Sequence, residues 1–418
     1  MTFEQPKAKI LRFNRFWFLL CAVYLYGFFA TSAPAAIGVV ELMVGGCLLL
    51  TFATRELLHQ TFGLNPPRKA KESFDGLLPL VFLILLFGGV LWGAAFNGND
   101  IGAVVRDVVP LGTMFLPIFV YGYLVPPEGG VVKQMTIALG TAGVAFAVRH
   151  FLSADLGGVD LGSEVIVGEG AFFSNPVVIF AASYFMAAAA LSVVEGKYTT
   201  FFLNLILGIC CMLPLMAVLL RSQIFLVSFG FVCVFLYAQT RRVNMVAIFM
   251  LGGFLLVLAI ALWDVLLVPL WELLVAKTEN AGVLNDRDAE AIAVLEMLNE
   301  GIGSLLFGTG WGGVIENPAA GGSVGFTHSF IMYSFFKTGV VGAVLFAYYL
   351  SLVAVRVMRL LVSVRSTPSN LPILVAIVNT LLINIFVEAG YKMLTFGVVL
   401  ALLWAVTSSN QKEPNSVK

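Results

Sequence analysis

The sequence predicts an all-α polytopic membrane protein: about twelve transmembrane helices, with one large, partly helical outer loop between spans nine and ten. Three observations carry this reading. The chain is 60% hydrophobic and 11% charged, against about 25% charged residues in an ordinary soluble domain. Its mean hydropathy is +0.96. Its apolar residues also gather into runs close to the roughly 20 residues that a crossing helix requires. No segment between the runs is long enough for a separate soluble domain, so residues 1–418 read as one integral membrane domain.

In order, the runs cover 16–32, 35–54, 77–95, 108–125, 134–150, 176–194, 199–220, 222–240, 245–268, 339–356, 371–388 and 394–408. Their sidedness follows from Lys and Arg, which concentrate in cytoplasmic connections. Of the 24 in the chain, one set of connections holds only Arg106, Arg149, Arg221, Lys277, Arg287, Lys337 and Lys392. The other set holds all the rest, including both tails. Both termini are therefore expected in the cytoplasm, with the acidic 151–175 and 269–328 connections facing outward.

The first run follows basic residues and precedes ATSAPAA (30–36), which imitates a secretory signal. Pro34 would directly follow a cut after Ala33, so an uncleaved anchor is expected. The five cysteines, Cys21, Cys47, Cys210, Cys211 and Cys233, all fall within runs. They make neither a disulfide framework nor a zinc spacing, and read as small buried hydrophobes.

Most chemistry-capable residues lie in the outer loop, 269–338. A helix is expected to begin at Asn285 or Asp286 as N-cap, with Asp286, Asp288 and Glu290 complementing its dipole. Ala291, Val294, Leu295 and Leu298 recur at helical spacing, and Arg287, four residues before Ala291, joins that buried face. Gly301 is a natural stop. FGTGWGG (307–313) reads as a tight turn. A nucleotide-binding reading fails on spacing and on the lack of a preceding strand. In GFTHSFIMYSFFKTGVVG (325–342), Thr327 or Ser329 can cap a helix of about nine residues ending at Gly339. His328 at its start, as a neutral imidazole, can accept a proton near neutral pH.

The stretch MAVLLRSQIFLVSFG (216–230) places Arg221 between two apolar runs, each about one crossing long. Two spans that meet there with almost no loop would set Arg221 at the outer mouth, on the side of Arg287 and His328. A lone arginine reaching hydrocarbon costs about 2.5–3.5 kcal/mol, so a partner is expected. Glu388, Asp264 or an anionic ligand at the membrane surface are the candidates. Two arginines and a histidine on one wet face suit a phosphate-bearing lipid, because arginine forks pair with phosphate oxygens and histidine handles a proton. Arg106–Asp107 and Arg149–His150, at outer span ends, read as ion pairs or interface anchors. Lys337 and Lys392 are candidate phosphate contacts or surface lysines. Glu41, inside an otherwise apolar run, is a functional suspect by position.

RSQIF after one span, an arginine on a loop helix, then LFGTGWGG and THSFIMYSFFKTGVVGAVLF, resemble the O-antigen ligase/polymerase family of bacterial inner-membrane glycosyltransferases. The tail NIFVEAGYKMLTFGVVLALL, with Glu388 at its outer junction, is similar to the last two spans of that family. The likeness covers about 200–350 well, and elsewhere rests on hydropathy and span count. Two departures stand out: the family's Ser-Arg pair is Arg221-Ser222 here, and Ser329 replaces the usual Asn.

The resemblance implies metal-independent, cofactor-free transfer of a glycan from an undecaprenyl-diphosphate carrier on the periplasmic face. Under it the catalytic set is His328, Arg287 and Arg221. Arg221 and Arg287 would bind the diphosphate, with Lys337, Lys392 and Glu388 as further substrate contacts, and His328 would deprotonate the acceptor hydroxyl. A polymerase would join lipid-linked repeat units, whereas a ligase would move the glycan to the lipid A core. The lipid bilayer is a standing partner and nucleic acid is not expected. A twelve-span transporter is the competing class. Transporters keep ionisable residues near the midplane and often show two similar halves, whereas here the polar residues gather on the outer face and the halves look dissimilar.

Overall fold

The computed structural model describes residues 6–29, 38–51, 74–124, 130–153, 175–217, 220–241, 287–317, 322–365 and 367–409, with a few isolated positions between 244 and 275. The chain is an all-α polytopic membrane protein. Its helices are α1 (Pro6–Phe29), α2 (Val39–Thr51), α3 (Leu78–Val90, continued by a π-helical turn over Leu91–Phe96), α4 (Ile101–Met114), α5 (Leu116–Leu124), α6 (Val131–Ser153), α7 (Pro176–Val194), α8 (Tyr198–Ala217), α9 (Arg221–Arg241), α10 (Arg287–Asn299), α11 (Ile302–Phe307), α12 (Phe330–Val364), α13 (Leu371–Phe386) and α14 (Leu394–Ser409). A two-stranded antiparallel sheet, β1 (Ile315–Asn317) with β2 (Gly322–Val324), pairs Ile315 with Val324.

Among the described residues seven helices are long and apolar enough to cross a membrane: Leu78–Phe96, Val131–Arg149, Pro176–Val194, Tyr198–Met216, Arg221–Arg241, Phe330–Val364 and Pro368–Phe386. Three expected crossings appear as shorter apolar helices, Arg15–Phe29, Val39–Thr51 and Leu394–Ser408. The expected crossing 108–125 is broken at Phe115 (φ −91°, ψ 15°) between α4 and α5. Its cause is local: Pro117, the second residue of α5, has no N–H to donate to the Thr113 carbonyl and its ring clashes one turn back, so a continuous helix cannot run through 113–117. The end of α4 is secured instead by Tyr349, whose hydroxyl donates to the Met114 carbonyl at 2.7 Å. The expected crossing 245–268 falls outside the described residues.

At the centre runs α7, a helix of small residues (FAASYFMAAAA) packed by α6, α8, α9 and α13. Small side chains let helix backbones approach closely. A Cβ on Gly143 of α6 would stand 2.5 Å from the Val177 carbonyl oxygen, and one on Gly208 of α8 would stand 2.8 Å from Met186 Sδ. Asn175 caps α7, its Oδ1 accepting from the Val177 N–H and from Thr395 Oγ1, which fixes the start of α14 beside the start of α7.

Helices α9 and α13 run antiparallel. Asn379 Nδ2 donates to the Leu226 carbonyl at 3.1 Å, and Arg241 Nη2 donates to the Arg365 carbonyl at 3.0 Å. Arg221, at the first residue of α9, therefore lies at the end of the bundle where α13 finishes at Phe386. Helix α8 ends at Ala217 and α9 begins at Arg221, so Arg221 stands at the mouth between two spans. Lys197, Arg241 and Arg365 mark the opposite end.

Candidate functional site

Residues 287–317 and 322–329 fold over the end of the bundle that carries Arg221. Helix α10 buries Glu290, Val294, Met297 and Leu298, an i, i+4, i+7, i+8 stripe. The stripe is rotated from the expected face: Leu295 is exposed, and Glu290, expected as a solvent-side dipole partner, is in the core with its side chain 3% accessible. Burying a carboxylate is costly unless it is paired, and His328 supplies both partners. The His328 backbone N–H donates to Oε1 at 2.8 Å, and Nδ1 lies 2.7 Å from Oε2. With Glu290 ionised, Nδ1 carries the proton and donates. The other ring nitrogen, Nε2, then keeps its lone pair, and the ring is 29% accessible. Glu290 therefore selects the tautomer in which Nε2 is a base.

One turn before Glu290 on the same helix, Arg287 donates from Nη1 to the Val387 carbonyl, and its Nη2 lies 3.8 Å from Glu388 Oε1. That carbonyl is just past the end of α13, so Arg287 ties the loop helix to the bundle. The Glu388 separation is longer than a hydrogen bond, and a guanidinium has five N–H donors. Donors thus remain on a side chain that is 25% accessible. Ser329 contacts the same helix end, its hydroxyl 3.5 Å from the Ile385 carbonyl. Arg287, His328, Glu388 and Arg221 are in this way brought to one end of α13. Of the partners expected for Arg221, Glu388 lies beside Arg287 at this end of the bundle, and Asp264 lies outside the described residues.

The two lysines have different fates. Lys337 is fully buried, its Nζ 2.6 Å from both Asp107 Oδ2 and the Gly313 carbonyl. It faces no open surface and is a buried cation held by Asp107 and the Gly313 carbonyl. Asp107 also accepts from the Gly312 N–H at 2.8 Å and the Tyr333 hydroxyl at 3.4 Å. Of the Arg106–Asp107 dipeptide, read as an ion pair or an interface anchor, Asp107 pairs across helices with Lys337.

Lys392 is half-buried. Its Nζ donates to the Gly325 carbonyl at 3.1 Å, lies 3.8 Å from Asp107 Oδ1, and sits over the Tyr333 and Phe326 rings. Burial pushes its pKa down to about 7. The Asp107 carboxylate pulls it back up, while the Lys337 and Arg106 charges push it further down. Phe326 in turn meets the His328 ring edge-on at 5.8 Å between centroids, so Lys392 is one aromatic ring away from the Glu290–His328 pair. Beneath them the Tyr391 hydroxyl donates to the Thr327 carbonyl at 2.7 Å, and burial raises its pKa well above the ordinary phenol value.

FGTGWGG is a latch. Gly308, Gly310 and Gly312 all have positive φ (65°, 73° and 82°), which only glycine adopts freely. Their loop drives Trp311 into α3, where the indole Nε1 donates to the Leu85 carbonyl at 2.9 Å and the backbone N–H to the Gly89 carbonyl at 3.1 Å. The Thr309 and Gly310 N–H groups donate to the Phe336 and Lys337 carbonyls. Asn99 Nδ2 spans the Thr309 and Trp311 carbonyls at 2.9 Å each. With its amides so committed, the loop is a structural turn, as its spacing indicated.

Glu41 lies in the first turn of α2, where it accepts from the Gly38 N–H at 3.0 Å, a capping role. Arg149 donates to the Gly27 carbonyl at 3.2 Å. Among the described residues no His, Cys, Asp and Glu cluster has the makings of a metal site. The chain matches no protein-family model, and no curated protein sequence matches it.

Proposed function

We propose that the protein is a metal-independent membrane glycosyltransferase. In this reading it moves a glycan from an undecaprenyl-diphosphate carrier to a sugar hydroxyl on the periplasmic face of a bacterial inner membrane, acting as a polysaccharide polymerase. One observation carries it: a buried Glu290 sets His328 as a base, with Arg287 one turn away on the same helix. A base and a guanidinium at the rim of a membrane bundle suit a donor that is both lipid and anion. Topology supports it too, since Lys197, Arg241 and Arg365 mark the opposite end, as expected for a cytoplasmic face in a twelve-span chain with both termini inside.

His328 Nε2 takes the proton of the acceptor hydroxyl as its oxygen attacks the anomeric carbon of the donor sugar. The bond from that carbon to the diphosphate oxygen breaks, and undecaprenyl diphosphate leaves as an anion. Arg287 and Arg221 offset the charge that develops on it, an effect worth several kcal/mol when preorganised. The proton on His328 then passes to solvent. General-base help of this kind contributes about 10²–10⁴-fold. Lys392, one aromatic ring away from His328, adds a third positive charge when protonated.

The test is glycan profiling of a deletion strain complemented with wild type, His328→Ala, Arg287→Ala or Arg221→Ala, each variant checked for membrane insertion. Single repeat units without long chains mean a polymerase. Long chains stranded on the carrier, with bare lipid A core, mean a ligase using the same residues. Unchanged glycans on deletion would remove the reading and return transport as the alternative.

A further inference from the structure

Helix α11 has no buried residue, although it is built from Ile302, Leu305, Leu306 and Phe307. Ile302 is 78% exposed, and the other three are exposed as well. A solvated loop rarely presents four large apolar side chains in six residues. Its position explains them. Gly339 (φ 59°, ψ −161°) breaks α12, and a Cβ there would stand 2.4 Å from the Leu306 carbonyl carbon and the Phe307 nitrogen. On the other flank, a Cβ on Gly303 would meet the Trp92 ring at 3.0 Å. Trp92 donates from Nε1 to the Gly308 carbonyl at 3.0 Å, and its ring lies 4.9 Å from that of Phe307. Helix α11 is thus wedged between Gly339 of α12 and the last turn of the Leu78–Phe96 span.

Both neighbours measure its depth. Leu78–Phe96 rises about 27 Å at 1.5 Å per residue, so Trp92 lies about 21 Å and Phe96 about 27 Å from the start of their own span, in the outer part of a hydrocarbon core about 30 Å thick. On α12, Arg356 is buried against Thr407 and Trp404, which leaves Arg359 as the first exposed basic residue towards the far end. Counting back about 30 Å from Arg359 reaches Gly339. Both spans therefore set α11 in the outer part of the hydrocarbon, towards its boundary. Its apolar face also continues the lipid-facing surfaces of both, through Leu91 and Phe96 on one side and Val340, Val341 and Val344 on the other, all exposed.

We infer that Ile302–Phe307 is a bilayer-inserted anchor: Ile302, Leu305, Leu306 and Phe307 contact phospholipid acyl chains of the leaflet at the His328 end, with Trp92 and the Phe96 stacked on it leading out towards the headgroup level. Aromatic residues collect at that level, and an apolar helix face lying in the interface is a known mode of attachment. The occupant is lipid, because the patch is continuous with two membrane spans. The inference does not depend on the glycosyltransferase reading.

The test uses full-length protein with its five native cysteines replaced by alanine, a single cysteine at Ile302 or Leu306, and a nitroxide label in phosphatidylcholine/phosphatidylglycerol nanodiscs. Reference labels at Phe87, exposed within the α3 span, and Ser323, exposed on β2, mark lipid and water. The oxygen-to-nickel-chelate accessibility ratio at 302 and 306 should exceed that at Ser323 several-fold and approach that at Phe87. Ratios equal to Ser323 would overturn the inference. Wild-type protein photolabelled with a diazirine-acyl phospholipid decides the matter without substitutions. Label on the 301–307 peptide supports the anchor, and label on Leu78–Phe96 with none on 301–307 overturns it.

Discussion

Glu290 grips His328 twice, by the backbone N–H at 2.8 Å and by Nδ1 at 2.7 Å, so one buried carboxylate positions both the ring and the segment that carries it. Replacement by glutamine keeps the shape of this contact and removes its charge. Glu290→Gln should lower the turnover of glycan transfer by about 10²–10⁴-fold, the range lost with a general base, and leave the KM for the donor nearly unchanged. Steady-state kinetics on lipid-linked donor in detergent check this. A raised KM at normal kcat would assign Glu290 to binding instead.

Arg287 is tested differently, because it holds both the loop and, in the proposed reaction, the diphosphate. Lysine keeps the charge but lacks the fork that can reach two acceptors. Arg287→Lys should therefore weaken donor affinity by about tenfold or more, a 1.4 kcal/mol effect, measured by binding of carrier-linked glycan to purified protein. Unchanged affinity would detach the guanidinium from the donor.

Lys392 links the site to pH. With its pKa lowered to about 7, by burial first, Lys392 is cationic below that pH and neutral above it. Donor affinity should fall as pH rises through 7, and Lys392→Arg, which stays charged, should abolish that fall. Stability runs the other way. The unfolded lysine holds its proton up to about 10.4, so between 7 and 10.4 the unfolded chain binds more protons. The contribution of Lys392 to stability therefore rises across that window and is lowest below pH 7. Binding isotherms and thermal melts of wild type and Lys392→Met over pH 6–9 read both effects.

Lys337 should matter for folding. Lys337→Met leaves Asp107 buried without its nearest cation, a change that costs about 3–5 kcal/mol. Asp107→Asn combined with Lys337→Met should recover much of the loss. Thermal stability of the four members of this cycle in detergent measures the coupling, and additive losses would argue against the pair.

Gly339 allows a graded comparison with Gly98. Both have positive φ, but a Cβ on Gly98 meets nothing within 4 Å, whereas one on Gly339 strikes the α11 backbone. Gly98→Ala should cost about 1–2 kcal/mol from backbone strain alone. Gly339→Ala should cost more and reduce the amount of monodisperse protein recovered, as read by fluorescence-detected size exclusion.

Much of this architecture was legible in the sequence, because membrane spans declare themselves by length and apolarity. The break at Gly339, the loop helix near residue 287 and the junction at Arg221 all followed from local rules. What stayed hidden depends on which side of a helix faces inward. Glu290 was readable as an acid in a first turn, and its only distinguishing mark is that it shares a stripe with Val294, Met297 and Leu298. Lys337 and Asp107 each look like rim charges until the latch loop folds between them. Pairing at such separation in the chain leaves no local trace, so burial of both could be learned only from the fold.

The latch also sets an order of events in biosynthesis. Leu85 and Trp311 are 226 residues apart, as are Asp107 and Tyr333. At about 5–20 residues per second, roughly 10–45 s pass between the emergence of each early partner and its late one. Throughout that interval α3 presents an empty socket for an indole, and α4 carries an uncompensated carboxylate at the membrane. Helices α3 and α4 are thus provisional until the last third of the protein arrives. A ribosome that stalls before Trp311 leaves behind a chain with hydrophobic spans in place and an open wound between them, the state that a membrane quality-control protease would meet.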